Sequence, residues 1–187
     1  MNFEDQTFEN IDYSSEKLQG NEYDNCTFVN CVFTNADLSN VVFIESKFEA
    51  CDMTMVKMKN TSLKDVQFKG CKLLGINFND CNEFLLSINF ENCSLNLSLF
   101  YQMKLKGIHF NNCELKEADF TGTDLSNSQF EKCELAGAIF DETNLEKADF
   151  RSSFNYTIDP EMNRLKKTKF SRVGIHGLLH KHDILIE

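Results

Sequence analysis

The sequence predicts an all-β solenoid built from five-residue repeats. Two observations predict it. First, large apolar residues recur at every fifth position. From Phe3 to Phe78 all sixteen such positions hold Phe, Tyr, Leu or Met; the frame then slips by two residues, and fourteen more positions alternate Leu and Phe from Leu85 to Phe150. Second, the residue two before each large one is small or β-branched, as at Cys26, Ala36, Val41, Ser46, Ala118 and Thr123, and all eight Cys fall at this offset.

Each repeat is justified as a short strand and a corner. Residues two apart on an extended chain point to the same side. The small and the large residue therefore both face inward, the residue between them faces out, and the other two turn the corner. Two inward residues in five is close to the observed hydrophobic share of 42%. A period of five scatters around an α-helix, which needs ~3.6 residues per turn, so helix is rejected for residues 1–150. Cys81 is the uncertain member, because the large residue expected after it is Glu83, where the frame slips.

Stretches such as Ala36-Asp37-Leu38-Ser39-Asn40, Ala118-Asp119-Phe120-Thr121-Gly122 and Ala148-Asp149-Phe150 resemble the consensus of pentapeptide-repeat proteins over residues 1–150. The resemblance implies a right-handed quadrilateral parallel β-helix of about seven coils, with four repeats and twenty residues per turn. Positions twenty apart then stack. One column reads Phe8, Phe28, Phe48, Phe68, Phe90, Phe110, Phe130 and Phe150, allowing for the slip, and another reads Cys31, Cys51, Cys71, Cys93, Cys113 and Cys133. These columns are the expected core ladders, of stacked rings and stacked thiols. The slip near residues 80–86 reads as a bulge or widened corner that leaves Phe84 partly exposed.

Residues 151–187 read as a separate C-terminal cap and dimerisation tail. Asp159-Pro160-Glu161 has the form of a helix start, with an N-cap, Pro at the first helical position and an early acid. A short α-helix is expected through about Thr168, a second over Val173 to Lys181, and a last short strand or apolar tail at Ile184-Leu185-Ile186. The run from Asn155 to Asn163 resembles the end of pentapeptide-repeat proteins of the quinolone-resistance and microcin-immunity type. In those relatives this segment caps the rod and joins two rods end to end. The resemblance implies a homodimer, with Leu178, Leu179, Ile184, Leu185 and Ile186 as the candidate interface.

Chemistry is conspicuous mainly by its absence. No nucleophile elbow, phosphate-binding loop or dinucleotide-binding Gly motif occurs. The Cys lie one repeat apart or more, without the close pairing of metal or redox sites. His176 and His180 stand at i and i+4, but no third ligand completes them. The expectation is a non-enzymatic protein with no catalytic residue, cofactor, metal or small-molecule substrate. No ~18-residue apolar run suggests a membrane span, and the acidic start suggests no secretory signal. The expected location is cytoplasmic, where the thiols stay reduced.

The net charge of -10 is unevenly spread. Counted along the sequence, residues 1–50 carry -8, residues 51–110 carry +2, residues 111–150 carry -7 and residues 151–187 carry +3. Taken over a rod ~36 Å long, the -13 of residues 1–150 is about one charge per ~2.8 Å, against one per ~1.7 Å in duplex DNA. Direct nucleic-acid binding is disfavoured, and imitation of DNA is allowed. The resemblance names the partner: a type II DNA topoisomerase, gyrase especially, protected from quinolones or peptide toxins. Glu114, Glu117, Asp119, Asp124, Asp141 and Glu142 are the candidate acidic surface. The alternative is a scaffold of the same fold with an unrelated protein partner.

Overall fold

The computed structural model describes residues 1–15, 18–182 and 184. The chain is an all-parallel solenoid. Strands β1 (Asn2–Glu4), β3 (Glu22–Asp24), β5 (Val42–Ile44) and β7 (Ser62–Lys64) form a four-stranded sheet. Strands β2 (Thr7–Glu9), β4 (Thr27–Val29), β6 (Lys47–Glu49), β8 (Val66–Lys69), β9 (Ile88–Glu91), β10 (His109–Asn111) and β11 (Gln129–Glu131) form a seven-stranded one. Register is twenty, as in Phe28 beside Phe48 and Phe110 beside Phe130, except across the slip, where Phe68 lies beside Phe90 at twenty-two. We call the seven-stranded sheet the first face and the four-stranded sheet the fourth. The second and third faces are held by isolated parallel bridges such as Asp52 to Lys72 and Leu99 to Asp119.

The corners explain the fourth and fifth residues of each repeat. The residue two past each large one commonly has positive φ, between +47° and +76°, from Asp5 through Lys167. Asn and Gly together hold more than half of these positions, because they adopt the left-handed conformation at least cost. Corner side chains also ladder from coil to coil: Asn60 Nδ2 donates to Asn40 Oδ1 at 3.0 Å and Asn112 to Asn92 at 2.7 Å.

Inside, the rings of the first face stack from Phe8 to Phe150 with centroids 4.5 to 5.3 Å apart, and Phe170 extends the stack at 5.6 Å. Phe78, Phe100, Phe120 and Phe140 form a second stack on the third face, edge-on to the first. The small inward position is a hydrogen-bond donor as well as a spacer. Thr123 Oγ1 reaches the carbonyl of Phe100 at 2.6 Å, Ser153 Oγ that of Phe130 at 2.7 Å, and Cys133 Sγ that of Phe110 at 3.4 Å. At these three positions Cys, Ser and Thr play the same part, each donating to a carbonyl 23 residues earlier. All eight Cys are buried free thiols.

Three expectations need correction. Leu85 is a member of the five-residue frame, but its side chain is 63% exposed. The extra residues lie between the pair Ser62–Asn82, still twenty apart, and the pair Val66–Ile88, twenty-two apart. Leu86 packs on the core instead. Second, the expected α-helix after Asp159 is absent. Asp159 Oδ1 does accept from the Glu161 amide at 2.8 Å, which makes a turn. The chain then resumes the solenoid: Arg164 bridges Asn144, and Lys169 bridges Asp149. Leu165 and Phe170 are the inward residues, and both remain in the frame of Phe150. The solenoid therefore does not stop at residue 150. Third, the expected helix over Val173 to Lys181 consists of two tight 3-10 segments, Gly174–Leu178 and His180–His182.

Candidate partner-binding surface

The six candidate carboxylates wrap around the rod rather than sharing a face. Glu114 stands outward on the second face, Asp119 on the third and Asp124 on the fourth; Glu117, Asp141 and Glu142 sit at corners. Glu114, Glu117, Asp141 and Glu142 are exposed. Asp119 and Asp124 are half-buried and accept from the amides of Thr121 at 2.8 Å and Ser126 at 3.0 Å. That engagement makes them corner-formers first, since such side-chain-to-amide bonds stabilise the turn itself. Asp124 also accepts from Asn144 Nδ2 at 2.9 Å.

Glu134, which charge counting alone did not single out, stacks directly on Glu114 through a parallel bridge. Two like charges one coil apart are tolerated because amides shield them. Asn155 Nδ2 donates to both Glu134 oxygens at 2.8 and 3.0 Å, and Asn96 Nδ2 donates to Glu114 at 3.2 Å. Other acids of this block are neutralised by ion pairs. Glu131 pairs with Lys132, Glu146 with Arg164, and Asp149 with both Arg151 and Lys169. The Arg151 guanidinium, 2.8 to 3.2 Å from Asp149, holds that carboxyl down at about 2. Among the described residues, none of the six candidates nor Glu134 is in an ion pair.

The C-terminal end is closed by the 3-10 segments lying over Tyr156. Gly174 and Gly177 permit this approach: a Cβ at Gly174 would collide with the Tyr156 hydroxyl, and one at Gly177 with the Tyr156 carbonyl. The Ile158 amide donates to the Gly177 carbonyl at 3.0 Å, and Lys181 clamps Asp159 and Glu161 at 2.9 and 2.6 Å. Of the expected interface residues, Leu178 packs inward on the core, Leu179 is half-buried and Ile184 is 54% exposed. Leu185 and Ile186 lie outside the described residues. Val173, 86% exposed, and Ile175, 50% exposed, are further apolar side chains turned outward in this segment. Their position two and four residues after the Ser171 turn is the signal that could have found them.

Burial pushes the Cys81 thiol up to about 12. The described residues contain no cluster of three or more potential metal-ligating side chains. Among them, no helix is long and apolar enough to cross a membrane.

Comparison with known proteins places these features in context. The family model described as a pentapeptide repeat region matches residues 21–100 and 45–120, and the model of eight-copy pentapeptide repeats matches residues 113–151. The quinolone resistance pentapeptide repeat protein QnrB96 of Scandinavium goeteborgense is 27% identical over 79 residues, which is 42% of this chain and 37% of that protein. Full-length QnrB1, a plasmid-mediated fluoroquinolone resistance protein, superposes with a TM-score of 0.66 at 19% identity, over 98% of this chain and 100% of its own. A trypsin-treated form of QnrB1 superposes at 0.53 and 20% identity, covering both chains in full.

Proposed function

The chain belongs to the pentapeptide-repeat family, and from that premise we propose that it is a non-enzymatic protein that occupies the DNA-binding surface of a type II topoisomerase, gyrase in the first place, and protects it from quinolones or toxins. The observation that carries this reading is the set of carboxylates without ion pairs on residues 111–150, held outward by a rigid stacked core. A fixed array of acids can meet a basic DNA-binding surface without the ordering cost of mobile side chains. The similarity to quinolone-resistance proteins supports the choice of partner.

We place the protein in the cytoplasm, as a homodimer joined at its C-terminal ends. Val173, Ile175 and Ile184 supply the exposed apolar side chains for that joint. Pairing there would bring two acidic blocks close to the two-fold axis.

The test is a gyrase supercoiling assay with a quinolone, titrated with the purified protein. Rescue of supercoiling is expected, and the combined variant Glu114→Gln, Glu117→Gln, Asp141→Asn and Glu142→Gln should weaken it by tenfold or more. Absence of rescue, of inhibition and of binding at low salt would overturn the reading. The second reading, a scaffold for an unrelated protein, is favoured by one observation: the carboxylates are distributed around the rod, so no single face presents a DNA-like line of charge.

A further inference from the structure

We propose that the slip on the fourth face is a docking site for an acidic, partly apolar peptide segment of another protein. This surface is separate from the carboxylates invoked above, and the proposal does not depend on the topoisomerase reading. The two extra residues push Phe84 and Leu85 out of the solenoid, 68% and 63% exposed. Leu85 is held at φ +58°, a conformation that costs a branched side chain energy, and here no burial offsets it. The turn is nonetheless fixed. Asn82 Oδ1 accepts from the Phe84 amide at 2.9 Å, so the aromatic ring is presented in a set place rather than on a loose loop. Preorganised aromatic residues are the usual energetic centres of protein contacts.

The groove beside this ring is positive, lined by two lysines and no carboxylate. Lys64 Nζ stands 6.0 Å from the Phe84 ring centre, within cation–π range. Next to the slip, Leu86, Ser87, Lys104, Lys106 and Gly107 line a groove of about 200 Å³. Among the described residues, Lys64, Lys104 and Lys106 make no ion pair, whereas Lys69 and Lys72 are paired to Glu91 and Asp52. The middle of the rod, at +2 over residues 51–110, lies between blocks of -8 and -7. An acidic segment is thus repelled by both ends and drawn to the slip. The apolar pair then gives it an anchor.

Single-stranded nucleic acid is the weaker occupant. It binds through successive stacked bases along a basic track, whereas this patch offers one ring.

The experiment is fluorescence anisotropy on the full chain with a labelled synthetic peptide of alternating Glu and Leu around one Phe, at low and physiological salt. Salt-dependent binding is expected. Phe84→Ala should weaken it about tenfold, and the triple variant Lys64→Ala, Lys104→Ala and Lys106→Ala should weaken it and flatten its salt dependence. Both variants should keep the wild-type unfolding midpoint, since these side chains are outside the core. Neutralising Glu114, Glu117, Asp141 and Glu142 should leave peptide binding intact, which separates this site from the acidic surface. The proposal is overturned if the wild type does not bind, if the Phe84 variant binds equally well, or if a Lys-Leu peptide binds as tightly. Binding of labelled oligothymidylate in place of the peptide, lost on Phe84→Ala, would overturn it in favour of nucleic acid.

Discussion

At the scale of single residues, the solenoid assigns one task to each place in the repeat. The inward small residue illustrates this. Cys133, Thr123 and Ser153 look unrelated as amino acids, yet each donates to a carbonyl 23 residues back. The thiols are therefore structural donors within a core, not reagents. Outside, Asp149 is the most strongly stabilised carboxylate, held at about 2 by Arg151. An ordinary Asp titrates near ~3.9. A depressed carboxyl pKa favours the folded state above the unfolded value, and that contribution fades as pH falls from about 4 toward about 2. Arg151→Ala should raise the Asp149 midpoint toward the ordinary value, as read by NMR titration, and move the acid limb of unfolding to higher pH. An unmoved Asp149 midpoint would show that the guanidinium is not the cause.

At the scale of elements, most of the architecture was legible before any coordinates. A period of five with paired inward residues is met by short strands joined at corners, and the twenty-residue turn that the family resemblance implies then yields the Phe and Cys columns. Two elements were not legible, each for a physical reason. Asp159-Pro160-Glu161 reads as a helix start because an N-cap and an Asp-stabilised turn use the same side-chain-to-amide bond. The deciding residues were Leu165 and Phe170, which keep the five-residue frame across two vacant positions at Asn155 and Pro160. Leu85 obeys the frame by identity, but periodicity cannot say which residues of a 22-residue coil are extruded. The candidate acids were legible as charge; their separation into exposed groups and turn-formers depends on amides that no spacing reveals. The cap carries its own prediction. Gly177→Ala should destabilise the protein by about 1–3 kcal/mol, because a Cβ must displace the Tyr156 carbonyl. Gly107→Ala meets open space and bears only the conformational cost of its φ of +76°, about 1 kcal/mol. A thermal melt in which the two variants behave alike would contradict the close packing at Gly177.

At the scale of the molecule, the rod separates stiffness from recognition. Stacked rings and carbonyl-bonded donors fill the interior, so outward residues can vary without disturbing it. Acid blocks, a basic middle with its protruding ring, and an apolar end then occupy different lengths of one surface. The end surface predicts an assembly. Val173→Asp with Ile175→Asp should convert the proposed dimer to a monomer in light scattering while leaving the unfolding of the stacked core unchanged. A wild-type monomer, or a variant that remains dimeric, would place the joint elsewhere or remove it.

The separation of twenty residues between stacked partners on either side of the slip has a consequence for inheritance. A tandem duplication or loss of one such unit leaves every remaining side chain facing an equivalent neighbour, because Phe110 and Phe130 occupy the same place in successive units. Gene length in this lineage can therefore change in steps of sixty nucleotides, each altering the span between the acidic end and the capped end by ~4.8 Å. Selection can tune the distance between two contact surfaces in this way without redesigning either.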